Sequence, residues 1–139
     1  MTVARDIMTA GAHCVGEHES LQDAARRMKD LDVGALPICG DDDKLHGILT
    51  DRDIVVKCVA EGKDPASVTA GELAQGKPHY VDAGADVREV LTMMEEHKIR
   101  RLPVIENRRL VGMISEADLG RHLSDEEVGH FVEAICGSS

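Results

Sequence analysis

Aromatic residues are almost missing from this chain: one Tyr (Tyr80), one Phe (Phe131) and no Trp in 139 residues. Its core must therefore be built from Val, Leu, Ile, Ala and Met, and nucleic-acid bases would find little to stack on. Basic charge is also scarce, with 16 Lys and Arg against 26 Asp and Glu and a formal net charge of −10. That balance repels a phosphate backbone and argues against general nucleic-acid binding, although a local basic cluster could still bind one small anion. No run of about 18 apolar residues is present, so no membrane-spanning helix is expected. The start, MTVARDIMTAG, lacks the basic and apolar regions of a secretory leader, which makes the cytoplasm the default location.

Catalytic signatures are missing as well. The chain has no Gly-rich phosphate loop, no nucleophile elbow and no HExxH. His13 and Cys14 are neighbours, but on a strand they would point to opposite faces, so they form no dyad. An enzyme is not expected. Cys14, Cys39, Cys58 and Cys136 include no CxxC pair and no dense disulfide framework. Their simplest role is that of small core residues.

What the chain does have is 42% hydrophobic and 30% charged residues, the profile of a globular protein, written out twice. Residues 13–37, HCVGEHESLQDAARRMKDLDVGALP, align with residues 79–103, HYVDAGADVREVLTMMEEHKIRRLP, at an offset that carries His13 to His79 and Pro37 to Pro103. One residue fewer in the following turn keeps Gly47 with Gly112, Thr50 with Ser115 and Asp53 with Asp118. Each copy predicts a short strand at Val15 or Val81 and then an amphipathic helix. The helical faces are Leu21, Ala24, Ala25, Met28 and Leu31 in copy one, and Val87, Val90, Leu91 and Met94 in copy two. Ser20 and Asp86 are the expected N-caps. A hairpin follows, ALPIC with LHGILT or LPVIE with LVGMIS, and then a second helix, whose copy-one face is Ile54, Val55, Cys58 and Val59. The fold class is α+β, a β-α-β-β-α unit twice. The domains are expected at 5–60 and 72–123, with a linker at 61–71 (EGKDPASVTAG) and a helical tail at 124–139. In that tail Ser124 and Glu127 form a capping box, and Val128, Val132 and Ile135 an apolar stripe.

Two such units, each with a Leu-Pro-aliphatic strand, a Gly-aliphatic-aliphatic strand and then [ST]-x-x-D, resemble a tandem pair of cystathionine β-synthase (CBS) domains, a Bateman module. ARDIM, ALPICGDDDKLHG, TDRDIV and TAGELA are similar to the small stand-alone CBS pairs of actinobacteria. The resemblance covers about Arg5 to Leu123. It implies pseudo-two-fold symmetry and a non-catalytic regulatory or sensor module that requires no cofactor. An adenosine compound (AMP, ADP, ATP or S-adenosylmethionine) would bind in clefts between the copies. It also implies a homodimer and an effector protein that the sequence does not name.

Thr50-x-x-Asp53 and Ser115-x-x-Asp118 can be read as capping boxes, as Ser20-x-x-Asp23 can. Both also sit where a strand opens into a helix, a place where backbone N–H groups favour an anion. The family assigns the matching hydroxyl to phosphate and the matching carboxylate to ribose. Arg100 and Arg101 match a family position that meets phosphate, while copy one has Gly34 and Ala35 there. Adenine would lie among Val15, Val33, Ala35, Val81 and Ile99.

The alternatives are a structural or protein-interaction pair, related to stress or hypoxia, with empty clefts; a metal held by His13, Cys14 and Cys39 with His18 and His46 nearby; and a redox-responsive Cys14–Cys39 disulfide.

Overall fold

The computed structural model describes residues 2–11, 13–42, 44–74 and 78–136. Asp43 of the acidic turn and the end of the tail, 137–139, lie outside the described residues. The chain divides into two compact units: residues 13–78, here the copy-one unit, and residues 1–12 with 79–139, the copy-two unit.

In the copy-one unit, β2 (Val15–Gly16) leads to helix α2 (Leu21–Leu31), then to the hairpin of β3 (Ala35–Cys39) and β4 (Leu45–Thr50). Strand order is β2-β3-β4, with β2 parallel and β4 antiparallel to β3. The central strand β3 is buried along its whole length. Helix α3 (Asp51–Ile54) runs into a π-helical turn, Val55–Val59. Leu21, Ala24 and Met28 bury against Val15, Leu36, Ile38 and Leu49, while Ala25 and Leu31 stay exposed, so the apolar stripe is narrower than its spacing suggests. Ile54 and Cys58 face the same core, but Val55 and Val59 are more than half exposed. Ser20 caps α2 by accepting from Asp23 N (3.1 Å).

Residues 61–71 do more than connect. Gln22 N donates to Pro65 O and Leu21 N to Val68 O, and Ala70 of α4 (Ala70–Leu73) is fully buried in the copy-one core. TAGEL therefore completes the copy that precedes it. Its small apolar residues supply the burial that decides this, which charge and Gly/Pro content do not reveal.

The copy-two unit takes α1 (Ala4–Ile7) and β1 (Thr9–Ala10) from the N-terminus. It continues with β5 (Val81–Asp82), α5 (Val87–His97), β6 (Arg101–Glu106), β7 (Arg109–Ser115), α6 (Glu116–His122) and α7 (Asp125–Cys136). The sheet order is β1-β7-β6-β5. Ala4 and Ile7 join Val90, Met94, Leu102, Val104, Ile114 and Leu119 in its core. Gly112 is needed for β1 to pair, since a Cβ there would lie 2.7 Å from Thr9 O. Asp86 caps α5 through Arg88 N (2.8 Å). The tail helix forms with Ser124 and Glu127 as its capping box. Phe131 anchors it, with Ile135 beside it, and Val132 points outward at 50% exposure, so 131 replaces 132 in the expected stripe.

Candidate functional site

The two hairpins share one register at their helix junctions. Ala35 pairs with Thr50 across β3 and β4, and Arg101 pairs with Ser115 across β6 and β7. The arginine of copy two thus stands beside the junction hydroxyl, where copy one has only a methyl group.

In the copy-two unit Ser115 ends β7 and caps α6. Ser115 N donates to Asp118 Oδ2 (2.9 Å), and Asp118 N points back to Ser115 Oγ at 3.4 Å. Asp118 is the one buried charged residue among those described, at 3% exposure. Burying a carboxylate is costly unless it is paired, and this one is: Thr9 Oγ1 donates to Oδ1 (2.8 Å), and Arg121 forms an ion pair with the same oxygen. Thr9 was not legible as a partner, because β1 reaches the junction only through tertiary pairing, whereas Arg121 follows Asp118 at the local i,i+3 spacing of one helix and was missed. A cavity of about 320 Å³ opens at the junction, lined by Arg100, Arg101, Ser115, Glu116 and Ala117. Arg100 Nε lies 3.3 Å from Glu116 Oε1, and its Nη2 lies 3.6 Å from Cys136 Sγ on the tail helix. Of the expected ligand residues in this unit, Arg100, Arg101 and Ser115 therefore meet at one cavity. Asp118 is not among the lining residues and is buried on its own partners, Val81 is in the core at 4% exposure, and Ile99 packs partly against that core.

The copy-one junction is a closed capping box. Thr50 N donates to Asp53 Oδ2, and Asp53 N to Thr50 Oγ1, both at 3.0 Å. Lys57 Nζ is 3.3 Å from Asp53 Oδ1, and Asp51 N is taken by Gly34 O (3.0 Å). Val15 and Ala35 are buried, and Val33 is 43% exposed.

Cys14 and Cys39 are joined in a disulfide, with Cα atoms 5.8 Å apart. The bond lies beside the parallel pair Gly16–Cys39. Arg27 supports the same edge: it donates to Cys14 O (2.5 Å) and to Glu19 Oε1 (2.8 Å). The hydrogen bond from Arg27 holds the Glu19 carboxyl below its ordinary range against the opposing effect of burial, and Gly16 N adds to the lowering. With both thiols consumed, the set His13, Cys14 and Cys39 does not fit a metal in this form. Cys58 is a buried free thiol and Cys136 an exposed one.

A duplicated α+β unit, each copy closing on a polar strand-to-helix junction, defines the class of tandem regulatory-domain modules. The CBS domain model matches residues 4–59 and 70–125, and the chain belongs to the CBS-domain family. It is 60% identical over 136 residues to hypoxic response protein 1 of Mycobacterium tuberculosis, covering 98% of this chain and 95% of that one. It is 35% identical to the CBS domain-containing protein YhcV of Bacillus subtilis, covering 93% and 91% of the two chains. Among solved structures, hypoxic response protein I with two coordinated zinc ions matches at a TM-score of 0.82 and 62% identity, covering 88% of this chain and all of that one. A hexameric CBS-CP12 protein from bloom-forming cyanobacteria matches at 0.77 and 30%, covering 90% and 72%. No helix among the described residues is long and apolar enough to cross a membrane.

Proposed function

We propose that this CBS pair is a non-catalytic sensor whose copy-two junction takes the phosphate of an adenosine compound. The supporting observation is the cavity that gathers Arg100, Arg101 and Ser115. Two guanidinium groups match a phosphate in charge and hydrogen-bonding geometry. This favours AMP, ADP or ATP over S-adenosylmethionine, which carries no phosphate. Arg101 is the better anchor, because Arg100 already has Glu116 and Cys136 as neighbours. The ribose contact proposed for Asp118 requires exchange with Thr9 or Arg121, its present partners. The copy-one junction, closed by its own cap and without arginine, would take an uncharged group or none.

The proposed regulatory role includes a second copy of the chain and an effector protein, in the cytoplasm. Arg101→Ala is expected to weaken AMP binding about tenfold while leaving adenosine unchanged, as measured by titration calorimetry. No heat with millimolar nucleotide, or equal losses for AMP and adenosine, overturns the phosphate role.

A second reading rests on the Cys14–Cys39 pair. A relative holds zinc ions, and reduction of the disulfide would return two thiols beside His13. In that reading the module answers to redox state or metal and leaves its nucleotide positions empty. A melting temperature that rises with nucleotide favours the first reading, and one that moves only with reductant and metal favours the second.

A further inference from the structure

Asp118 carries more hydrogen bonds than a capping residue needs, and the surplus comes partly from the N-terminal strand. Its Oδ2 accepts from Ser115 N (2.9 Å) and Ser115 Oγ (3.2 Å), which completes the cap. Its Oδ1 accepts from Thr9 Oγ1 (2.8 Å) and pairs with Arg121. A carboxylate offers about four lone-pair sites, so these donors leave none for a ligand. The residue is also closed to solvent, at 3% exposure. A sugar hydroxyl that reaches Asp118 must displace one of the donors already there.

The donors differ in what depends on them. Ser115 N and Oγ belong to the start of α6, and the cap is lost with them. Arg121 is the counter-charge, and taking it away leaves a buried carboxylate unpaired. Thr9 supplies only a neutral hydroxyl, and a ribose hydroxyl is the same kind of donor, so one replaces the other without disturbing cap or ion pair. Its mounting is also weak. Strand β1 has two exposed residues at the edge of the sheet, paired as Thr9 with Met113 and Ala10 with Gly112. It ends at Gly11, whose φ of 116° favours glycine. Short exposed segments of this kind open far more readily than the fold as a whole. Before it, α1 stays anchored by buried Ala4 and Ile7, so lifting β1 does not pull α1 from the core.

We propose that Thr9 is an autoinhibitory latch on Asp118, released only by a ligand that brings a sugar hydroxyl of its own. The proposal rests on the nucleotide reading of the copy-two junction and adds its regulation. Ser115 connects the two places, since it lines the arginine cavity and is bonded to Asp118. A phosphate in the cavity leaves β1 where it is. A nucleotide with a free ribose diol takes the Thr9 position on Oδ1 and frees β1. The exchange trades one hydroxyl for another, so the sugar adds little affinity to the native protein and is read out instead as movement of the strand. Copy one is built otherwise, with Lys57 Nζ 3.3 Å from the matching oxygen of Asp53.

The test is Thr9→Val in the full chain, which keeps a β-branched side chain suited to a strand and removes the hydroxyl. Titration calorimetry compares AMP with 2′,3′-dideoxyAMP, which keeps adenine and phosphate but has no free sugar hydroxyl. Thr9→Val is expected to tighten AMP about fivefold and to leave dideoxyAMP unchanged. Hydrogen exchange gives a second measurement on the native protein. The Gly11 amide, bonded to Val111 O (3.1 Å), is expected to exchange at least about threefold faster with AMP and at its resting rate with dideoxyAMP. Melting curves without ligand check that the variant is folded. If the native protein binds AMP while Thr9→Val tightens neither ligand, or both equally, the latch is overturned and the phosphate reading stands. If neither protein binds nucleotide at millimolar concentration, both fall together.

Discussion

Asp118 and Asp53 occupy equivalent places in the two copies, yet they are different residues physically. Asp118 is buried and bound by Ser115, Thr9 and Arg121, whereas the Asp53 side chain is 23% exposed with Lys57 beside it. Removing a buried carboxylate orphans the donors around it, while removing a partly solvated cap loses mainly the cap. Asp118→Ala is therefore expected to destabilise by about 2–3 kcal/mol and Asp53→Ala by about 1 kcal/mol, measured by urea unfolding. Equal losses would show that Thr9 and Arg121 add nothing to the capping box. The hydroxyl-and-carboxylate pattern was legible in the sequence in both copies. The difference between them was not, because Thr9 comes from a strand whose pairing is set by packing more than a hundred residues away in the chain.

At the level of elements, the hairpins and long helices follow directly from periodicity: β3 with β4, β6 with β7, α2 and α5 all lie where apolar spacing and caps put them. What spacing did not reveal is short or non-local. Strand β1 has two residues, both exposed, and is held by pairing with β7; α1 and α4 have four each, placed by burial of Ala4 and Ile7 and of Ala70. The π-helical turn at Val55–Val59 likewise has no signature in an apolar run, and it turns Val55 and Val59 outward. The arginine cavity was legible in part, since Arg100 and Arg101 flank the Leu-Pro strand, but the neighbours of Arg100 depend on where α6 and α7 lie. The end of α2 offers a direct test. Asp32 terminates it in the left-handed region, at φ 56°, where a side chain is disfavoured. Asp32→Gly is expected to raise stability by up to about 1 kcal/mol, read as an increase in melting temperature, and a decrease would mean that its carboxylate contributes more than the backbone loses.

For the molecule as a whole, the scarcity of aromatics is answered by two aliphatic cores, with Phe131 the single aromatic residue in either. Thin cores of this kind leave a larger share of stability to covalent and polar ties. The disulfide spans 25 positions, and closing a loop of that length is worth about 3 kcal/mol through the unfolded chain. Reduction is expected to lower the urea midpoint accordingly, with Cys14→Ser in oxidising buffer reproducing the loss. If reduction leaves the midpoint unchanged, the β2–β3 edge is held by Arg27 and Glu19 without help from sulfur.

That same bond has a topological consequence. With Cys14 tied to Cys39, everything from β2 through α2 to most of β3 lies inside a closed covalent ring. A protease that cuts the exposed basic face of α2, at Arg26 or Lys29, opens the ring without separating the chain. The nicked protein stays one covalent molecule, heavier only by the water taken up at the cut, until a reductant arrives, so damage to this segment is concealed in an oxidising compartment and becomes two fragments in a reducing one.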